Sequence, residues 1–514
     1  MRFPRSSGVL LPVFSLPAEP SSSAGASDAS TVIGDLGASA YRFVDFLQSA
    51  GQTIWQLLPL GPPALGDSPY SSYSAFAGNP LLISCDLLVA DGLLTPQQLA
   101  DAAVPQDTCK DRVHYDLARA TKLPLLKLAF NTFRQQQNHA RNLQYADFCE
   151  RNQAWLIDFA RFDAFSHDFG DPDWSKWDAE LIRRTPAALA DVDSKLADEI
   201  EFAKFQQFVF ADQWSKLKSY AHERDVQIYG DMPIFVAYES VDVWTDQHLF
   251  MLDDAGRPTV VAGVPPDYFS ATGQMWGNPL YRWDRIGDSG YEWWIRRFRQ
   301  AFEFFDILRI DHFRGFESYW EIPANAENAI AGQWITGPRD APFEAARAAL
   351  GDLPIVAEDL GLITDEVHWL RDRLGFPGMR VLQFGYEDDS DPYHRPDAWP
   401  DHSVGYSGTH DNDTVMGWYA KRKQDGTDAI LNRFLSGDPD SVHVELVRSV
   451  LNSAADTAIL PMQDILGLGS EARINTPGEA QGNWTWRCSA DALTEDLASR
   501  LRSWTEASGR RRTT

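Results

Sequence analysis

The stretch ILRIDHFRG at residues 307–315 joins an apolar, β-branched run to a cluster of charged residues. This pattern is typical of a buried parallel strand that ends at a functional site. Alternation along a strand places Arg309 and Asp311 on the same face. A fixed cation beside a carboxylate favours its ionised form, which suits a nucleophile. The same Arg–Asp pair could instead serve only to hold the strand end, and this segment alone leaves both interpretations open.

Two further carboxylates end other apolar runs. Glu358 lies in LPIVAEDLG at 353–361, and Asp411 lies in SVGYSGTHDNDT at 403–414. The carboxyl ends of barrel strands share one face, so these two and Asp311 could converge. Two converging carboxylates are the minimum for glycoside chemistry, in which one attacks the anomeric carbon and the other protonates the leaving oxygen. Glu358 follows an apolar run and has acidic neighbours, which favour a raised pKa, so it is the better acid. Asp311, beside Arg309, is the better nucleophile.

The elements that must position these residues alternate between strand and helix. Apolar runs typical of buried strands occur eight times, at 7–12, 52–60, 226–237, 307–315, 353–361, 379–386, 403–414 and 456–468. Polar clusters at successive strand ends favour a parallel sheet. Eight such runs predict an α/β fold of the (β/α)8 TIM-barrel class with inserted, mainly helical subdomains, rather than a doubly wound sheet. The chain has no GxGxxG motif after its first strand and no P-loop motif, which disfavours nucleotide-binding folds.

The predicted domain organisation is one catalytic barrel over residues 1–514. Apolar residues recur at helical spacing over 81–225, which predicts a mainly helical insertion. Residues 248–281 read as a hairpin followed by a long loop rich in Gly and Pro, and we expect a lid-like region there because long loops inside compact domains are usually functional.

Composition excludes several classes of partner. The formal net charge is −27, so we expect neither nucleic acid nor an anionic membrane surface to bind, because both require basic patches. We find no run of about 18 apolar residues, which a spanning helix requires. The 18 Trp, 16 Tyr and 29 Phe residues will mostly be core, but aromatic rings near polar clusters also suit a sugar-binding cleft.

Cysteine usage and the N-terminus bear on location. Four cysteines are scattered through the chain: Cys85, Cys109, Cys149 and Cys488. None forms a CxxC pair, which is typical of reduced thiols and predicts a cytoplasmic protein. The apolar run near the N-terminus is short and is broken by Pro12 and Pro17, which disfavours a signal peptide.

The acidic cluster HDND at 410–413 also allows a metal-binding interpretation. It lacks the Gly and the distal Glu of a calcium loop, and no second His lies at metal spacing. We therefore predict no metal and no cofactor.

Seven segments together resemble one known family. They are RIDHFRG, AEDLG, SGTHDNDT, GDSPYSSYSAFAGNP, GDMPIFVA, PPDYFSATGQMWGNPLY and GNWTWR. In the order in which they occur along the chain, they are similar to the 4-α-glucanotransferases of the amylomaltase, or disproportionating enzyme, family, which are relatives of the α-amylases. The matches run from Ser7 to about Arg487. The resemblance implies a (β/α)8 barrel and retaining transfer of α-1,4-glucan segments from a maltooligosaccharide or α-glucan donor to the 4-hydroxyl of a glucan or glucose acceptor.

The resemblance also implies roles for individual residues. It makes Asp311 the nucleophile, Glu358 the acid/base and Asp411 a carboxylate that stabilises the transition state. It places Arg309, His312 and His410 around the reacting sugar. Further expected cleft residues are Asp231, Ser68, Tyr70, Asp267, Gln274, Trp276 and Asn475.

The loop at 263–278 resembles the family's lid over the acceptor side. We expect this lid, with Trp276 and Tyr70, to hold a sugar acceptor and exclude water, so that transfer outcompetes hydrolysis. An α-glucan hydrolase of the α-amylase type with a more open cleft is the alternative, and a catalytically inactive glucan-binding protein is a third class.

Overall fold

The computed structural model describes residues 3–18, 32–64, 66–102, 104–105, 108–136, 138–266, 270–386, 393–438, 441–479 and 481–510. Its twelve strands are β1 Ser6–Leu10, β2 Ile54–Gln56, β3 Gln227–Pro233, β4 Val260–Val264, β5 Gln274–Pro279, β6 Ile307–Asp311, β7 Ser318–Pro323, β8 Gln333–Thr336, β9 Ile355–Ala357, β10 Gly378–Val381, β11 Ser403–Tyr406 and β12 Thr457–Pro461. Eight of them close into a barrel in the order β1-β12-β11-β10-β9-β6-β3-β2. Every pairing in the barrel is parallel.

The barrel confirms the predicted (β/α)8 TIM fold, since each of the eight predicted runs overlaps one barrel strand. The strands are buried on both faces, as in β1 and β12. This is expected when helices cover the outside of a parallel barrel and side chains fill its interior. Charged residues of the barrel gather towards the carboxyl ends of the strands, as Arg309 and Asp311 do in β6, and in the loops that follow.

The helices that surround and extend the barrel vary widely in length. They are α1 Ala38–Ser49, α2 Cys85–Ala90, α3 Pro96–Asp101, α4 Tyr115–Gln135, α5 His139–Arg151, α6 Gln153–Phe169, α7 Ala179–Ile182, α8 Pro186–Lys195, α9 Ala197–His222, α10 Val241–Thr245, α11 Trp283–Asp288, α12 Glu292–Phe304, α13 Ala341–Leu350, α14 Asp365–Leu374, α15 Val415–Gln424, α16 Val442–Asn452, α17 Met462–Leu466 and α18 Glu495–Ala507. Within the described ranges, no helix is long and apolar enough to cross a membrane.

Helices α2 to α9 occupy the connection between β2 and β3. Helix α9 is tied to the loop after β2 by two buried glutamines. The Gln207 side chain accepts from Gly78 N at 2.8 Å and donates to Gly78 O at 2.9 Å. Gln213 makes the same pair of bonds to Ser84, at 2.8 and 3.0 Å. The helices thereby fix the backbone of a loop that leads into the cleft.

A second sheet stands beside the barrel, with the strand order β5-β4-β7-β8. All its pairings are antiparallel. The prediction of a loop over 263–278 was wrong at both ends, because Val260–Val264 forms β4 and Gln274–Pro279 forms β5. Gly263 permits this close pairing, since a Cβ there would lie 2.1 Å from Gln274 O.

Asp231 lies inside a strand rather than in a turn. The residues Gly-Asp-Met-Pro at 230–233 predict a turn at the end of the run 226–237, but Asp231 lies within β3, paired with Arg309 of β6. Gly230 is required by packing rather than by a turn, because a Cβ there would lie 2.1 Å from the ring of Phe305.

Candidate active site

A cleft of about 1210 Å³ opens at the carboxyl ends of the barrel strands. Of the predicted site residues, the cleft is lined by Ser68, Tyr70, Gln274, Trp276, Arg309, Asp311, His312, Glu358, His410, Asp411 and Asn475. Asp231 lies just beneath it and contacts two of these residues. Asp267 lies outside the described residues. The structure therefore brings together side chains that lie more than four hundred residues apart in the sequence, as Ser68 and Asn475 do.

The base of the cleft is a buried network centred on Arg309. Its Nη1 donates to both carboxylate oxygens of Asp231, at 2.8 and 2.7 Å. Its Nη2 donates to Asp311 Oδ1 at 2.8 Å. The Tyr70 hydroxyl donates to Asp231 Oδ2 at 2.6 Å. One guanidinium thus neutralises only part of two carboxylates, and the network keeps a net negative charge.

Asp311 sits where this network meets the open cleft. Its side chain is 30% exposed, so one carboxylate oxygen is held by Arg309 while a face remains open. Burial raises the pKa of Asp311 above its ordinary value, and Asp231 and Asp411 add to the rise while Arg309 opposes it. Arg309 therefore protects the ionised form less than the sequence pair suggested, because Asp231 shares its charge.

Glu358 follows β9 and accepts hydrogen bonds from two backbone N–H groups. Its Oε2 accepts from His312 N at 2.7 Å, and its Oε1 accepts from Leu360 N at 2.8 Å. The His312 N–H is aimed by a left-handed backbone with φ of 53°, an uncommon conformation for a residue other than glycine. Burial raises the pKa of Glu358 to about 7, with a further rise from Asp311 and an opposing effect of Arg309.

Asp411 has a very different environment. Its Oδ1 accepts from Asn475 Nδ2 at 2.6 Å, and its Oδ2 lies 3.3 Å from His410 Nε2. Burial alone would raise the pKa of Asp411, but His410 and Asn475 outweigh it and hold that pKa well below the ordinary value. Burial likewise opposes the charge on His410, but Asp411 raises the pKa of that imidazole. At a pH of about 7, where half of the Glu358 side chains are protonated, Asp411 is therefore ionised.

The rim of the cleft is aromatic. The ring of Trp276 meets the ring of His312 edge-on at 4.8 Å. The Trp276 Nε1 donates to Gln274 Oε1 at 3.1 Å, and these two side chains of β5 face the cleft together. Burial lowers the pKa of His312 to about 3, which makes its ring a neutral hydrogen-bonding group.

The opposite wall is built from the loop after β2. The ring of Tyr70 stacks on His410 at 4.9 Å, and Ser68 Oγ accepts from Tyr70 N at 3.3 Å. Burial raises the pKa of Tyr70 well above its ordinary value, so its hydroxyl is a proton donor.

Sequence reasoning missed two residues of this site. The ring centroid of Trp484 lies 5.8 Å from that of Tyr70 and 6.0 Å from that of His410, so its tilted ring extends their aromatic cluster. Arg473 Nη2 donates to the carbonyl oxygen of Asp411 at 2.6 Å and so supports its loop. Trp484 lies in GNWTWR, one of the segments that carry the resemblance, and Arg473 begins RINTPG at 473–478. Strand alternation gave no direction for side chains in these loops.

The acidic cluster 410–413 does not form one ligand set. Asp411 faces Asn475, whereas Asp413 Oδ2 accepts from Ser470 Oγ at 2.6 Å. In the part of the chain that the structure describes, no group of three or more His, Cys, Asp or Glu residues could hold a metal ion.

A parallel eight-stranded barrel whose strand ends bring carboxylates into an aromatic cleft defines a glycoside-active enzyme of the TIM-barrel class. Comparison with known proteins is consistent with this class and is more specific. The family model of 4-α-glucanotransferases, glycoside hydrolase family 77, matches residues 15–494. The chain belongs to this family, which favours transfer over the hydrolase alternative.

Relatives align over the whole chain. The 4-α-glucanotransferase of Synechocystis is 45% identical, covering 99% of this chain and 98% of its own length. That of Thermus thermophilus is 44% identical, covering 99% and 100%. The amylomaltase of Streptococcus agalactiae, solved in complex with acarbose, has a TM-score of 0.92 and 37% identity, covering 99% and 100%.

Proposed function

We propose that this enzyme transfers α-1,4-glucan segments by a retaining double displacement. Asp311 is the nucleophile, Glu358 is the acid/base and Asp411 stabilises the transition state. The observation that carries these roles is the contrast between Glu358, whose pKa is raised to about 7, and Asp411, whose pKa is lowered. Carboxyl groups whose environments separate their pKa values in this way can divide acid and ion-stabilising roles.

In the first step, an Asp311 oxygen bonds to the anomeric carbon of the donor and the glycosidic C–O bond breaks. Glu358 gives its proton to the departing oxygen. In the second step, Glu358 takes the proton of an acceptor 4-hydroxyl, whose oxygen attacks the anomeric carbon and releases Asp311. Two inversions retain the α configuration, and Glu358 ends protonated, ready for another cycle.

Asp411 and the base of the cleft act on the reacting sugar. Asp411 stays ionised through His410 and Asn475, so it can accept hydrogen bonds from ring hydroxyls and favour an oxocarbenium-like shape. Arg309 orients the carboxylate of Asp311 for attack. The Arg309 side chain is held in turn by Asp231, which also accepts a hydrogen bond from Tyr70. The neutral ring of His312 serves as a donor or acceptor to sugar hydroxyls.

The rim selects a sugar hydroxyl over water. Trp276 and Gln274 on one side, with Ser68 and Tyr70 on the other, line the same cleft. Flat rings cover the apolar faces of a pyranose acceptor and displace water from the glycosyl-enzyme. We assign Asp267 to this acceptor side as well, from the resemblance alone.

The whole chain, 1–514, acts as one catalytic unit in this proposal. Residues 81–225 support the loop after β2, and residues 248–281 cover the acceptor side. The substrates are a maltooligosaccharide or α-glucan donor and acceptor. The cytoplasmic location stays a prediction from cysteine usage.

Incubation of the purified protein with maltotriose tests the proposal. Separation of all products by size over time should show glucose together with a ladder of longer maltooligosaccharides. Asp311→Asn should abolish both. Glucose and maltose alone, with reducing ends rising steadily, would identify a hydrolase instead, and absence of turnover would favour the binding-protein class.

A further inference from the structure

An exposed tryptophan lies outside the cleft on the second sheet. Trp334 of β8 pairs in register with Trp320 of β7, and their rings meet at 5.1 Å with an angle of 68°. Trp334 is 40% exposed. Trp320 is fixed in turn, because its Nε1 donates to Ala329 O at 2.9 Å.

Arg314 holds Trp334 from a second side. Its guanidinium carbon lies 3.9 Å from the centroid of the Trp334 ring. Arg314 is 6% exposed. It donates to the carbonyl oxygen of Leu362 and, at 3.3 Å, to Ser318 Oγ. A ring held by a neighbouring indole and a buried guanidinium can receive a ligand with little loss of side-chain entropy.

The same contacts join Trp334 to the rim of the cleft. Leu360 and Gly361 line the cleft, and the next residue, Leu362, accepts the hydrogen bond from Arg314. The Leu362 side chain is 56% exposed. An exposed indole and an exposed leucine therefore stand beside the loop that follows Glu358.

We propose that Trp334, with Leu362, forms a distal contact for the part of an α-glucan chain that extends beyond the catalytic cleft. A flat, exposed indole matches the apolar face of a pyranose ring. The position favours this ligand, because Arg314 packs on Trp334 and also donates to the residue that follows Gly361 in the cleft wall. This inference rests on the proposed α-glucan substrate and adds to it a preference for long chains.

Kinetics along a series of maltooligosaccharides and amylose test the site. The ratio of KM for Trp334→Ala to KM for the wild type should be smallest with maltotriose. It should rise with chain length to about three- to tenfold for the longest donors, the range expected for loss of one aromatic contact. Trp334→Phe keeps a smaller ring, so its KM for long donors should lie between those of the wild type and Trp334→Ala.

Trp369→Ala is the matched control. Trp369 is an exposed tryptophan on α14 that also has a nearby arginine, Arg373 at 5.5 Å. Arg373 pairs with Asp340 and Glu344 rather than with a residue of the cleft loop. The ratio of KM for Trp369→Ala to KM for the wild type should stay near one at every chain length.

Retardation in native gels cast with amylose measures binding without turnover. In an Asp311→Asn background, Trp334→Ala should migrate faster than its parent, and Trp369→Ala should not. A KM ratio for Trp334→Ala that does not change with chain length would overturn the distal contact. Failure of the wild type on maltotriose would overturn the proposed function instead, while the gel would still report on Trp334.

Discussion

The base and the rim of the cleft are built in opposite ways. At the base, Asp231 and Arg309 are 2% and 3% exposed and are joined by charged hydrogen bonds in a fixed geometry. At the rim, Trp276 is 38% exposed and is positioned by ring contacts with His312 and Phe235 and by one side-chain hydrogen bond. The base is anchored on barrel strands, whereas the rim is carried by β5 of the second sheet on one side and by the loop after β2 on the other.

This difference separates two tasks. Attack at the anomeric carbon requires oriented charges that do not relax during the reaction, which buried networks on rigid strands provide. Selection of the incoming hydroxyl requires a surface that different sugars can enter. Substitutions at the base should therefore lower transfer and hydrolysis together, and substitutions at the rim should change their ratio.

The largest effect tests the acid at the base. Glu358→Gln should lower kcat/KM for maltotriose by about 10²- to 10⁴-fold, because the leaving oxygen then receives no proton. In the wild type, kcat/KM should fall as pH rises through about 7, where Glu358 loses its proton. This basic limb should be absent from the variant, as a pH–rate profile would show.

The acid limb has the opposite sign. Protonation of Asp311 removes the nucleophile, so activity should fall as the pH is lowered. Because the pKa of Asp311 is raised, this loss should begin at a higher pH than that at which an ordinary aspartate titrates. Asp411 remains ionised there because its pKa is lowered. An unchanged basic limb in Glu358→Gln would contradict the assignment of the acid. Glu344→Gln, a surface carboxylate on α13, is the control.

An intermediate effect tests the shared cation. Arg309→Lys replaces a planar fork by a single ammonium, which cannot hold Asp231 and Asp311 in the same geometry. Loss of one charge-assisted hydrogen bond of about 1.5–3 kcal/mol corresponds to a drop in kcat/KM of about 10- to 10²-fold. The acid limb should move to higher pH, because a weaker cation raises the pKa of Asp311 further.

The surface variant Arg373→Lys, at an exposed ion pair with Asp340, is the matched control for this change. A loss of transfer without an equal loss of hydrolysis in Arg309→Lys would break the separation between base and rim.

The smallest effect tests the rim. Trp276→Ala should lower the ratio of transfer to hydrolysis by about three- to tenfold, the range expected for loss of one aromatic contact with an acceptor sugar. Total consumption of maltotriose should change less than this ratio. Product analysis with a separate assay of reducing ends measures both quantities. If the ratio in Trp276→Ala equals that of the wild type and of Trp369→Ala, the lid hypothesis falls.

Much of the barrel could be predicted from the sequence for a physical reason. A parallel strand covered on both faces must be apolar, so a run such as Ile307–Ile310 with charge at its end marks both the strand and its functional end. The second sheet could not be predicted in this way. Strand β5, Gln274–Pro279, is mostly exposed and contains Gly and Pro, so it carries neither alternation nor an apolar run.

The site shows the same division. Arg309 and Asp311 were paired correctly because alternation fixes neighbours on one strand. The sharing of Arg309 with Asp231 was not predictable, because it depends on the register between β3 and β6. The low pKa of Asp411 depends first on His410, the preceding residue, and then on Asn475. Asn475 lies 64 residues away and contacts Asp411 only in the folded chain.

The most direct test of the account is to trap the glycosyl-enzyme. Glu358→Gln should be incubated with α-maltosyl fluoride, whose leaving group needs no acid, so that the covalent intermediate forms and breaks down slowly without a base. Mass spectrometry of peptides should then find one maltosyl unit on Asp311. A label on another residue, or a label that persists in the double variant with Asp311→Asn, would contradict the assignment of Asp311 as the nucleophile.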